Sequence, residues 1–128
     1  MLHDKHFTIL EAQELLIVIK PYLEKIMRLK NLLDEEGYDV YRHEYFGGIG
    51  PNGTGEFPKE MEELISYVKR VADKGILIKD LNSGLIDFPF ETESGEEVYL
   101  CYLYGEDKIR FWHSIQAGFK GRRNIEEL

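Results

Sequence analysis

The side chains in this sequence that could do chemistry beyond packing crowd towards its C-terminal end. Trp112 and His113 adjoin, and Gly118-Phe119-Lys120-Gly121-Arg122 follows within a few residues. An arginine offers a planar fork for a carboxylate or phosphate. Glycines let a backbone approach a ligand closely. A tryptophan stacks on a ring or a cation, and an imidazole donates a hydrogen bond or a proton. Upstream, Asp87 sits between Ile86 and Phe88, and a carboxylate half-buried in a strand needs a cation or several donors. Asp87, Trp112, His113, Lys120 and Arg122 are therefore the candidates for a ligand- or anion-binding site. The structural alternative packs Trp112 in the core and ties the tail down through Arg122 to Asp87 or Glu106. Asp87 would then be one member of an ion pair or a turn cap.

Other motifs carry less. Cys101 and His113 invite comparison with a thiol hydrolase, but alternation along the strands sends them to opposite faces of a sheet. A mid-strand cysteine also lacks the cationic setting of a reactive thiolate, so Cys101 is expected in the core. A single cysteine excludes a disulfide framework and a cysteine-based zinc finger. His3-Asp4-x-His6 has the residue types of a metal chelate, yet matches no known ligand spacing. Gly48-x-Gly50-x-x-Gly53 matches the dinucleotide fingerprint in letters only. It follows a helix, contains Pro51, and has neither a βαβ unit nor the Lys-Ser/Thr of a phosphate loop. Asn52-Gly53-Thr54 is a glycosylation sequon in a chain with no sign of secretion. No catalytic residue, metal or cofactor is expected.

The elements that must position these residues are legible. Thr8 and Glu11 form a capping box, with Phe7 and Ala12 as a hydrophobic staple. Ala12, Leu15, Leu16, Ile19, Leu23, Ile26, Leu29 and Leu33 then mark one helical stripe. Pro21 lies inside it and should kink it. To Glu36 this helix measures roughly 44 Å, and Val40 and Glu44 keep a register that would carry it past Gly37 to about Phe46. After the loop "GGIGPNGTGEFP", a second helix begins near Pro58, buries Met61, Leu64, Ile65, Val68 and Val71, and stops at Gly75. Beyond Gly75 the period changes from 3.6 to 2. "ILIKD", "LIDFPF", "EVYLCYLY" and "KIRFWH" read as four strands joined by turns. The expected fold is α+β in a single domain, residues 1–128: a long N-terminal antiparallel helical hairpin (8–75), a four-stranded antiparallel β-meander (76–113) and a C-terminal tail (114–128).

Turn centres at Ser94-Gly95 and Gly105-Glu106 set the register. Val98 then faces His113, Leu100 faces Phe111, and Asp87 faces Tyr102. One face collects Asp87, Leu100, Tyr102 and His113, and the other collects Phe88, Cys101, Arg110 and Trp112. A slip of one residue would exchange these sets on a strand. Both faces are mostly apolar, whereas a half-exposed meander alternates. One helical hairpin covers one face, so the other needs a lid, a ligand or a second subunit.

Part of this pattern resembles a known family. "FTILEAQELL" followed by Pro21, then "KDLNSGLIDFPF" and "EEVYLCYLYGEDKIRFWHSIQAGFKGRRNI", is similar to the domain-of-unknown-function family numbered 2203, small bacterial and archaeal proteins. The resemblance covers nearly the whole chain and is most specific from Lys79 to Ile125. Tyr102 stands where the family pattern has tryptophan, and Asn124 where it has proline. The resemblance supports the fold and implies no activity.

A formal charge of −8, with 6 basic against 10 acidic side chains in residues 1–57 and 10 against 14 in 58–128, opposes binding to phosphate backbones. The longest apolar run, "LLIVI", is too short to cross a membrane. The first residues hold no signal-peptide core, so the chain reads as cytoplasmic. The expectation is a non-enzymatic homo-oligomeric interaction or regulatory protein, most simply a homodimer. The alternative is a protein binding a small molecule or anion, possibly an enzyme, at the site near Asp87, Trp112, His113 and Arg122.

Overall fold

The structure, a computed structural model, describes residues 1–51 and 55–128. The sequon and the third glycine of the fingerprint, Gly53, lie outside the described residues. Helix α1 (Ile9–Glu35) begins at the capping box: the Glu11 N–H donates to Thr8 Oγ1 at 3.0 Å, and the Thr8 N–H donates to Glu11 Oε1 at 2.8 Å. Ala12, Leu16, Ile19, Leu23, Ile26, Leu29 and Leu33 bury its inner stripe. Pro21 sits on the solvent side, where the carbonyl its ring leaves unbonded can reach water.

The helix does not run on to Phe46. Tyr38 N–H bonds Leu33 O at 2.9 Å and Gly37 N–H bonds Asp34 O at 3.0 Å. That pair of bonds is the Schellman motif, which closes a helix. The aromatic stretch instead forms two 3-10 turns, Val40–Arg42 and Glu44–Phe46. Helix α2 (Lys59–Ala72) buries Met61, Leu64, Ile65, Val68 and Val71. Tyr22 meets Tyr67 at 6.0 Å between ring centroids, and Tyr38 meets Phe57 at 5.9 Å. One long helix is thus partnered by a helix about half its length.

The sheet has five strands rather than four, in the order β1 (Leu77–Asp80), β2 (Leu85–Glu91), β3 (Glu97–Leu103), β4 (Phe111–Ser114) and β5 (Arg123–Asn124), with every neighbouring pair antiparallel. The extra strand is part of the expected tail. It pairs Asn124 with Phe111 and Arg123 with Trp112, covering the edge of β4 that a four-stranded meander would leave open.

The register differs from the expected one by a single residue on both sides of β3. Asp87 pairs with Cys101 rather than Tyr102, and Leu100 pairs with Trp112 rather than Phe111. Two local causes account for it. The β2–β3 turn closes with Thr92 N–H bonded to Glu96 O at 2.8 Å, so its loop is Glu93-Ser94-Gly95. Such three-residue loops place their last residue in the left-handed region, and Gly95 has φ 87°. On the other side, Ile109 is taken out of the strand by α1. Gln13 Nε2 donates to Ile109 O at 2.8 Å and Gln13 Oε1 accepts from Ile109 N at 3.0 Å. The amide therefore stands in for a neighbouring strand, and Ile109 is fully buried. β4 starts two residues later, at Phe111.

Ile86, Phe88, Leu100 and Tyr102 consequently face the helices and join the main core, with Trp112 partly buried against it. Asp87, Tyr99, Cys101 and His113 lie on the opposite face. All four are at least 95% buried within the single chain. The chain's own ends cover them. Leu2 and His3 N–H groups donate to the Glu97 carboxylate, and His3 Nε2 lies 2.6 Å from Tyr99 Oη. Arg122 from the tail lies over the rings of Phe111 and Phe119, 4.0 and 4.6 Å from their centroids.

Candidate functional site

Turning β3 over between its neighbours has a chemical consequence. Cys101 and His113, expected on opposite faces, stand on the same face as Asp87. Three adjacent strands bring a carboxylate, a thiol and an imidazole together. Their ligand-type atoms all lie within 4.8 Å of one another, the only such group of three among the described residues.

His113 is held at both nitrogens. Nδ1 lies 2.7 Å from the Ser114 carbonyl oxygen, and Nε2 lies 3.1 and 3.2 Å from the two Asp87 oxygens. A carbonyl only accepts, so Nδ1 carries a hydrogen. A carboxylate also only accepts, so Nε2 carries the second. Protonated at both nitrogens, the ring is an imidazolium paired with Asp87. Burial opposes that charge, but the hydrogen bonds to Asp87 and Ser114 outweigh it and raise the His113 pKa above its ordinary value. Tyr99 packs edge-on against the ring at 5.5 Å, with the Lys79 ammonium 5.7 Å above the Tyr99 ring.

Cys101 is the opposite of a nucleophile. Burial, and then the negative charge of Asp87, push its thiol up to about 12. A thiol–imidazole pair needs a free ring nitrogen to take the thiol proton, and both nitrogens of His113 are occupied.

The other sequence candidates do not gather around this cluster. Trp112 points to the helix side of the sheet; its buried Nε1 finds no protein acceptor, and Arg123 lies 5.2 Å from its ring. Arg122 pairs with Glu106, the tie expected of a structural tail; its side chain is 11% exposed. Lys120 is exposed on the 3-10 turn Phe119–Gly121. The N-terminal histidines also separate: His6 bonds Glu97 at 2.6 Å while His3 reaches Tyr99. In the glycine loop, a Cβ on Gly48 would stand 2.1 Å from the Arg42 backbone, and Arg42 Nε donates to Gly50 O at 2.7 Å. Gly48 thus serves close packing on the Arg42 turn, and Gly50, at φ 113°, supplies a backbone conformation other residues rarely adopt.

Sequence reasoning missed Cys101 as a member of the site. The signal was present in the loop "ESG", whose final glycine permits a three-residue turn. Two clefts lie elsewhere. One of about 370 Å³ runs between the aromatic turns and β1, lined by Tyr41, Phe46, Ile76, Ile78 and Lys79. Another of about 490 Å³ is lined by Ile9, Phe90, Thr92, Ser94, Ile125 and Leu128. Neither is lined by a residue of the Asp87 cluster.

What the surface does offer is an apolar line on α1. Leu10 and Ile17 are 68% and 73% exposed, and Val18, Pro21 and Leu32 are exposed with them. At about 100° per residue, Leu10, Ile17, Pro21, Arg28 and Leu32 fall within about 40° of a common direction, opposite the core stripe. No helix among the described residues is long and apolar enough to cross a membrane. Comparison with known proteins adds one match: a family model described as an uncharacterized conserved protein covers residues 5–125. No curated protein and no solved structure matches.

Proposed function

As a chain that belongs to the DUF2203 family of uncharacterized conserved proteins, this protein inherits no activity, and we propose from its geometry that it is a non-enzymatic interaction protein that pairs with a second copy of itself along the outer face of α1. The observation that carries this reading is the exposed line Leu10, Ile17, Pro21 and Leu32. Its charges are self-complementary. A two-fold axis at Pro21 sets Leu10 against Leu32 of the second copy, Glu14 against its Arg28, and Ile17 against the stem of its Lys25. Each contact occurs twice, as an isologous interface requires. The sheet face expected from the sequence to stay open is covered by the chain's own ends.

A non-enzymatic reading agrees with the state of the polar cluster. The thiol is held neutral, both imidazole nitrogens are occupied, and the clefts lie apart from it. A cytoplasmic location belongs to the same reading, supported by a single cysteine that is a free, buried thiol.

Sedimentation equilibrium over a concentration series tests the pairing. Wild type is expected to be a dimer and Ile17→Lys a monomer. Glu14→Arg alone weakens association by about tenfold, equivalent to about 1.4 kcal/mol, and Glu14→Arg with Arg28→Glu restores it. A monomeric wild type at the highest concentration, or a double reversal that restores nothing, overturns the proposal.

A further inference from the structure

We propose that Asp87, Cys101 and His113 form a binding site for one divalent, borderline-soft metal ion of the Zn²⁺ class. The three ligand atoms come from three adjacent strands and lie within 4.8 Å of one another, and the three residues are 1%, 1% and 2% exposed. One carboxylate oxygen, one sulfur and one imidazole nitrogen make a donor set suited to a tetrahedral first-row ion rather than to Mg²⁺ or Ca²⁺, which prefer oxygen.

The orientation of His113 is the second observation. A metal-bound histidine characteristically donates its other ring N–H to a carbonyl or carboxylate, which fixes the tautomer. Here Nδ1 is anchored on the Ser114 carbonyl, and Nε2 is aimed at the space beside Asp87. Without an ion, that space holds the Nε2 proton. Ligands at about 2.0–2.3 Å from a tetrahedral centre stand about 3.3–3.7 Å apart. From the present spacing, the 3.1 Å between His113 Nε2 and Asp87 has to open slightly and the Cys101 sulfur has to draw in for an ion to be held.

Ligation displaces the Nε2 proton and the thiol proton, and the carboxylate and thiolate then offset the charge of one M²⁺. The fourth coordination position is left for water or an exogenous ligand.

Cobalt(II) is the probe, because thiolate ligation gives an intense sulfur-to-metal absorption and a tetrahedral field gives a strong visible spectrum. It is added to the folded full chain after EDTA treatment, and separately during refolding from denaturant, which admits the ion to a site that is closed when folded. The expected result is one equivalent per chain with both spectral features, displacement by Zn²⁺, and proton release on binding in weak buffer. Cys101→Ala should keep its circular dichroism and lose the sulfur band, with affinity down by at least about tenfold. His3→Ala with His6→Ala should bind as wild type does. Sub-stoichiometric binding in both protocols, an unchanged affinity in Cys101→Ala, or loss of binding in the His3/His6 variant would each overturn the assignment.

Discussion

Replacing Asp87 with asparagine keeps its shape and removes its charge, leaving an imidazolium at His113 without an ionic partner on a face that is closed to water. Asp87 and His113 side chains are 1% and 3% exposed, so solvent screening offers little relief. Breaking one partner of a buried pair typically costs about 3–5 kcal/mol, because the surviving charge is uncompensated. Unfolding entropy of about 2.1 cal/mol/K per residue amounts to about 270 cal/mol/K over 128 residues, so each kcal/mol moves Tm by about 4 °C. Asp87→Asn should therefore lower Tm by about 11–19 °C when melting is followed by circular dichroism, with EDTA present so that no ion contributes. Asp87→Leu combined with His113→Leu removes both charges and should cost less than the sum of the two single leucine changes. A loss below about 1 kcal/mol in Asp87→Asn, or strict additivity in the pair, would refute the reasoning that an ion pair joins β2 to β4.

Gln13→Leu removes both bonds to the Ile109 backbone and leaves a buried N–H and C=O unsatisfied, which should cost about 2–4 kcal/mol in urea unfolding; an unchanged midpoint would mean that Ile109 is held by packing alone. Arg122→Met strips the partner from Glu106 on a largely buried pair. It should cost about 2 kcal/mol and speed protease cleavage within residues 115–121, whereas resistance equal to wild type would mean the tail is fastened elsewhere. Burial opposes ionisation of Asp34, but hydrogen bonds from Lys30 and Asn82 outweigh it and hold its pKa below the ordinary 3.8. Its contribution is present above about pH 4 and disappears as pH falls through the lowered value. Asp34→Asn should melt lower than wild type at pH 7, with the gap narrowing in acid. A gap that stays constant to low pH would assign the effect to lost packing.

The pattern-bearing elements were legible because local rules decide them. The capping box at Thr8, the 3.6-residue stripe of α1, the buried face of α2 and the change to alternation after Gly75 each depend on neighbours in sequence. What failed depended on partners far away. Periodicity carries the helix past Gly37 because it does not register the two bonds from Gly37 and Tyr38 that close it. β5 was invisible because Arg123 and Asn124 carry no strand pattern and are recruited by the free edge of β4. The sheet register turned on whether the β2–β3 loop holds two residues or three, and on Gln13 drawing Ile109 away from β4 across 96 positions of chain. Asp87 and His113 stand out in the sequence as candidate ligand-binding groups, and both are buried in the fold. Their third companion was lost because one step along β3 exchanges Cys101 for its neighbours.

The polar cluster exists because of that one step in register, and nuclear Overhauser spectroscopy reads it directly. The account predicts contacts between the His113 ring protons and the β protons of Cys101 and the ring of Tyr99, with Asp87 and Cys101 backbones directly paired. Contacts from the His113 ring to Val98 and Leu100 instead, with Asp87 paired to Tyr102, would contradict it and disperse the cluster.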